Sequence, residues 1–236
     1  MSGLPEGARV LDVSYGARSH VGFTLRRALN AALAEGRLGP LSAKTDAEIT
    51  ERLLGLHTKY GCLAVVVRRV HDSWERVRDL AVNRDPALDQ YVLDVGKVFQ
   101  ASELVTDVEG LLVTLHSTLD VAVGLAKLVE RRVLHLRPNA QTSDKALRAL
   151  PGISEGEQEL FHVARGAFVH IHAPWLAVVL NRDAPADLAI LTRRRPNYTT
   201  GEGYVLLSRV DALLTALRRH VDLLENSLAV RIGQLT

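Results

Sequence analysis

The chain is poor in sulfur and in rings. One cysteine, Cys62, and one methionine stand among 236 residues, and 5% are aromatic. A lone cysteine excludes an intramolecular disulfide and a thiolate metal cluster, a pattern that suits a reducing compartment. There is no Walker lysine loop, no nucleophile elbow, no dinucleotide fingerprint and no HExxH pair. The opening stretch "MSGLPEGARVLDVSYGARSHVG" lacks the apolar core of a signal peptide. Elsewhere no uninterrupted apolar run reaches the length of a membrane span. These absences predict a soluble, cytoplasmic protein with no membrane partner. Neither sign of charge prevails: 29 Lys and Arg face 27 Asp and Glu, a net charge of +2. That balance excludes the dense basic face of a dedicated duplex binder while permitting an acidic partner.

Helical periodicity dominates what is there. "HVGFTLRRALNAALAEGRLGP" reads as a first helix, stopped by Gly36, Gly39 and Pro40. "TDAEITERLLGLHTKYGCLAVVVRRVHDSWERVRDLAVNRD" follows, with Thr45 or Asp46 as cap and Glu48 as the reciprocal carboxylate. Its Val-rich middle is a place for a kink. The stretch from Ala87 to Pro138 is a long helix with room for a break near Ala101–Glu103. "RPNAQTSDKALRALPGIS" is a loop with one short helical turn. "SEGEQELFHVARGAFVHIHA" begins at a Ser154–Glu157 capping box and ends near His170–His172, because Pro174 disfavours helical geometry at Ala173. "WLAVVLN" and "DLAILTRR" flank "RDAPA" as a β-hairpin. The segment from Thr199 to Gln234 closes the chain as a long amphipathic helix. No internal repeat or low-complexity segment is visible.

Between Val108 and Val129 the long helix is almost wholly apolar or small, yet Glu109, His116, Asp120 and Lys127 interrupt it. At about 100° per residue these four fall within roughly 40° of one another, so they form one narrow stripe. A solvated helix face is usually broader. A thin charged line flanked by small residues suits close approach of another helix, with its charges buried but paired. Asp120 then needs a cation from elsewhere, and Arg165 is available.

Arg165 sits in "ARGAFVHIHAPW", whose His170 and His172 fall with His162 just upstream into eleven positions. A histidine at a helix C-terminus is favoured in its protonated form by the exposed carbonyls, which makes His170 a candidate general acid or base. Arg165 offers a permanent cation with a fork of donors that fits phosphate oxygens. Proton transfer plus stabilisation of phosphorane charge is enough to cleave RNA through its own 2′-hydroxyl, with no metal and no cofactor. Five residues along a helix span about 140° of rotation, so the two side chains share no face by default. A composite cleft between two subunits would complete the arrangement.

The hexapeptide "RGAFVH" resembles the R-x4–6-H motif of the HEPN superfamily (higher eukaryotes and prokaryotes nucleotide-binding domain). "TDVEGLLVTLHSTLDVAVGL", carrying Asp107, Glu109, Ser117 and Asp120, is similar to the acidic helix of that family. The resemblance covers about residues 46–180. It implies an all-α protein, an antiparallel helical bundle with a small β-hairpin appended after the motif helix. It further implies a metal-independent endoribonuclease of a toxin–antitoxin or phage-defence system, working as a homodimer with an antitoxin or other regulatory protein. Arg165 and His170 would then be catalytic, with Asp120 and Glu109 orienting them and His116, His162 and His172 close by. Gly166 departs from the pattern, since active members often carry a polar residue directly after the arginine.

Other readings stay open. His170-x-His172 has metal-ligand spacing on an extended backbone, with His162 or Asp120 as a third ligand. Arg193, Arg194, Arg195 and Tyr198 combine charge and a ring in the manner of a single-strand RNA surface, or form a charged hairpin end. A catalytically inactive helical module that binds a protein or nucleotide partner is the main alternative to the enzyme. The expected layout is one domain: an extension over 1–45, a core bundle over 46–172, the hairpin over 173–198 and the final helix over 199–236.

Overall fold

The structure is a computed structural model that describes residues 22–82, 99–163, 176–179, 185–192, 196–197, 200 and 202–235. It is mostly helical, with a small three-stranded antiparallel sheet. Among the described residues the α-helices are α1 (Phe23–Ala34), α2 (Ala43–Val82), α3 (Phe99–Arg132), α4 (Asp144–Arg148), α5 (Glu155–Val163) and α6 (Val210–Gly233). The strands are β1 (Leu176–Val179), β2 (Asp187–Leu191) and β3 (Tyr204–Leu206).

The two longest helices, α2 and α3, run antiparallel along their length. Arg132 meets Glu48 at 3.3 Å and Arg76 meets Glu103 at 3.1 Å, so each end of one helix is tied to the opposite end of the other. Between those ties the contact face is lined by small residues. A side chain at Gly55 would lie 3.9 Å from Val121, and one at Gly110 would lie 3.9 Å from Val66. Leu56, Leu63, Val70, Trp74 and Val77 of α2 pack with Leu104, Leu111, Leu115 and Leu119 of α3 in one buried core. Fully burying side chains of this size contributes about 1.5–3 kcal/mol each before chain entropy is counted.

Helix α1 belongs to that core, since Leu25, Leu29 and Ala32 are fully buried. It docks on α6 through both ends. Glu225 of α6 accepts from the Gly22 and Leu25 amides at 2.9 Å each, capping the α1 N-terminus. Arg37, just past α1, donates to the Ile232 and Gly233 carbonyls at 3.0 Å and closes the α6 C-terminus. A carboxylate at a helix start and a guanidinium at a helix end each complement the macrodipole.

Several local expectations need correcting. The cap of α2 is Ser42, whose hydroxyl accepts from the Thr45 amide at 3.2 Å, while Glu48 is taken by Arg132. Both α2 and α3 are uninterrupted helices: neither the Val-rich stretch of α2 nor Ala101–Glu103 of α3 breaks the hydrogen-bonded run. α3 stops at Arg132, short of Pro138, because His135 adopts a left-handed conformation (φ 49°) and turns the chain away. The segment given to the last helix begins instead as strand and turn. β3 pairs with β2 through Ala189–Leu206, Ile190–Val205 and Leu191–Tyr204, and α6 starts only at Val210.

The expected hairpin partners do pair, β1 with β2 in register Leu176–Ile190 to Val179–Asp187. β2 is central, with Leu188, Ala189 and Ile190 fully buried. The Ser154–Glu157 capping box also forms. Ser154 N donates to Glu157 Oε2 at 2.8 Å and Glu157 N donates to Ser154 Oγ at 3.2 Å. By length and composition Ala101–Arg132 of α3 could cross a membrane, but 56% of its apolar window is buried inside this fold. That burial is compatible with the core helix of a soluble protein.

Candidate functional site

The charged stripe of α3 is where the shorter elements attach. His116 and Asp120 lie one turn apart, with Nε2 of the ring 2.9 Å from Oδ2 of the carboxylate. The other ring nitrogen, Nδ1, donates to the Phe161 carbonyl of α5 at 2.8 Å. Each ring nitrogen thus faces one acceptor. The second carboxylate oxygen of Asp120 stands 2.6 Å from Arg148 Nη2 of α4. That oxygen is buried and receives no well-aligned hydrogen bond, so the contact is an ion pair without directed donation. Lys127, about two turns further on, pairs with Asp144 at the start of α4. Three members of the stripe therefore clamp α4 and α5 onto α3, as close-packed paired charges require. Glu109 is half-buried and makes no hydrogen bond or ion pair with a described residue.

Helix α5, which leads into the "ARGAFVH" segment, is fixed on every side. Besides the His116 bond at Phe161, Glu157 is paired with Arg209 at 3.0 Å, and Thr192 at the end of β2 donates to Glu159 at 3.3 Å. Gln158 bridges back to the α4 region, accepting from Leu150 N and donating to the Arg148 carbonyl, both at 2.9 Å. Burial alone pushes the Glu157 carboxyl upward. The Ser154 amide and hydroxyl together with Arg209 outweigh it and hold that carboxyl below the usual carboxylate range. A rigid, charged Glu157 keeps the helix start in register with the sheet.

Arg165, His170, His172, Arg193, Arg194, Arg195 and Tyr198 lie outside the described residues, as does the side chain of His162. Of the expected site, then, Asp120, Glu109 and His116 are placed, on one face of α3. The partner Asp120 takes is Arg148. Sequence reading passed over Arg148, Gln158 and Arg209. The signal for Arg148 was weak but present: it lies one residue before the "ALPG" turn, on a helix whose cap, Ser143, accepts from the Ala146 amide at 3.2 Å. Among the described residues no three His, Cys, Asp or Glu side chains converge as a metal site.

A second polar concavity of about 320 Å³ opens between the C-terminal half of α2 and the start of α3. Asp107, 6% exposed, forms its floor. It accepts from Ser73 Oγ and pairs with Arg69 at 2.6 Å, while Arg76 reaches both Ser73 at 3.2 Å and Glu103 at 3.1 Å. Both of its arginines are paired with carboxylates of α3, Arg69 with Asp107 and Arg76 with Glu103, so it ties α2 to α3. Ser117, the other residue of the acidic helix, is spent on its own backbone, donating to the Thr114 carbonyl at 3.1 Å. No family model matches the chain, and no curated protein and no solved structure matches it either.

Proposed function

We propose that the chain is a metal-independent endoribonuclease of HEPN type with a toxin–antitoxin or phage-defence role. Its helices would form an antiparallel bundle with the hairpin following the motif helix, and it would act as a cytoplasmic homodimer under an antitoxin or other regulator. The observation that supports this reading most is the His116–Phe161 bond at 2.8 Å. It fixes the helix that leads into the motif to the charged stripe of α3, with its anchor only four residues before Arg165. In this reading Arg165 stabilises charge on the pentacovalent phosphate, His170 carries the proton, Asp120 and Glu109 orient them, and Arg193, Arg194, Arg195 and Tyr198 hold the RNA. Wild type, Arg165→Ala and His170→Ala, incubated with a mixed RNA pool, test it. Cleavage by the wild type alone is expected; equal cleavage by all three contradicts the assignment.

One observation favours a second reading. Asp120 is already engaged on both oxygens, by His116 and by Arg148. A carboxylate so fully engaged is what a purely structural clamp needs, and the chain would then be an inactive helical module that binds a protein or nucleotide partner. RNA or nucleotide binding without cleavage in the same experiment is its signature.

A further inference from the structure

The outer face of α2 has an unusual charge pattern. A surface helix normally turns charged residues toward solvent. Here the middle of the solvent side, opposite the buried core residues, consists of Leu54, Thr58, Gly61 and Val65, with Cys62 beside them. Leu54 and Val65 are 62% and 59% exposed. These positions recur at alternating spacings of four and three, the repeat that lets two helices coil gently along one another. Charges return only beyond that centre: Lys44 and Glu51 on the N-terminal side, Arg68 and Glu75 on the C-terminal side, all exposed. None of these four makes an ion pair or hydrogen bond with a described residue.

We infer that this face of α2 is a self-association seam, on which a second copy of the chain lies antiparallel about a two-fold axis between Thr58 and Gly61. The order of the charges selects that occupant. Laid antiparallel on itself with Thr58 opposite Gly61, the repeat sets Leu54 against the partner's Val65, Glu51 against the partner's Arg68 and Lys44 against the partner's Glu75. Ala47 meets Asp72, which neither helps nor opposes. Each pair occurs twice by symmetry, as an isologous contact requires. A parallel copy would instead set Glu51 against Glu51 and Arg68 against Arg68. Gly61 lets the two backbones approach at the centre, and the flanking pairs fix register and partner choice. The seam is argued from α2 alone and stands whether or not the chain cleaves RNA.

The experiment reads mass, not activity. Wild type, Glu51→Arg, Arg68→Glu, the double reversal Glu51→Arg/Arg68→Glu and Leu54→Glu are compared by size-exclusion chromatography with light scattering over a dilution series. Helical content and thermal unfolding serve as checks that each remains folded. The wild type is expected as a dimer. Each single reversal puts two like-charge contacts in place of two attractive ones and should weaken the dimer by about tenfold or more. The double reversal should restore it, and Leu54→Glu should leave monomer. A monomeric wild type, a dimer indifferent to the single reversals, or a double reversal that fails to recover would each overturn the seam.

Discussion

Nδ1 of His116 reaches across from α3 to the Phe161 carbonyl of α5 at 2.8 Å, while Nε2 of the same ring holds Asp120 at 2.9 Å. One imidazole thus joins the central helix to the helix that enters the motif segment. Its side chain is largely enclosed, so nothing in solvent readily replaces these bonds. His116→Ala should cost about 1–3 kcal/mol, the expected penalty for leaving buried partners unsatisfied. Denaturant unfolding measures it as a lower midpoint at unchanged slope. His116→Ala and Asp120→Asn should also be non-additive, since they share one network.

A second clamp lies at the far end of α3. Glu130 is 1% exposed and accepts from Thr142 N at 3.0 Å, Thr142 Oγ1 at 2.6 Å and Arg231 of α6 at 2.6 Å. Burial alone raises its carboxyl, but these donors outweigh burial and hold it below its ordinary 4.5. Glu130→Ala removes the anion and leaves Arg231 facing a buried gap, at a cost of about 3 kcal/mol. Urea unfolding at neutral pH checks the figure.

The pH dependence follows from the direction of each shift. Burial pushes His220 below its ordinary 6.5, only partly offset by its bond to the Leu147 carbonyl. The unfolded chain takes up that proton first, so stability is complete above 6.5 and declines as pH falls toward the folded value. Glu130 and Glu157, both held low, add a second decline below 4.5. Asp222 opposes that second decline, because burial and then the Glu225 charge hold its carboxyl above its ordinary 3.8. His220→Gln, able to keep the donor to Leu147, should flatten the first decline while leaving the second. Unfolding free energies measured across the acidic range show whether the first slope disappears.

Gly110 on α3 gives a prediction of opposite sign from the glycine that precedes α1. A methyl at Gly110 would meet only Val66 at ordinary contact distance, so Gly110→Ala should stabilise by up to about 1 kcal/mol through helix propensity. Gly22 sits at φ +88° with Leu53 Cδ2 only 2.8 Å from the added carbon. Gly22→Ala should therefore destabilise by about 1–2 kcal/mol. Melting temperatures of the two variants should move in opposite directions.

Much of this was legible in the order of residues, and the misses have physical causes. The stripe Glu109–His116–Asp120–Lys127 could be read because a 34-residue helix samples its own periodicity many times. Its narrowness foretold docking, and α4 and α5 dock there through three of its four members. The partner on Asp120 went unread, because a long-range pair depends on where a five-residue helix lands and the signal around Arg148 was weak. β3 escaped notice for a similar reason. Three residues are too few to show alternation, and the apolar period of α6 directly after them extends smoothly through Tyr204–Leu206. Ser42 was passed over as a cap because Thr45, Asp46 and Glu48 composed the stronger start signal, yet the structure uses Asp46 and Glu48 for tertiary contacts with α1 and α3.

The central claim concerns chemistry, and the most direct measurement is of the ends left on the RNA. The purified protein is incubated with one RNA oligonucleotide and its 2′-O-methyl counterpart, in excess EDTA, beside His170→Ala. The account predicts that only the wild type cuts, only the 2′-hydroxyl substrate is cut, and the 5′ product ends in a 2′,3′-cyclic phosphate. Cleavage of the 2′-O-methyl strand, cleavage abolished by EDTA, or no cleavage of either substrate by the wild type would contradict it.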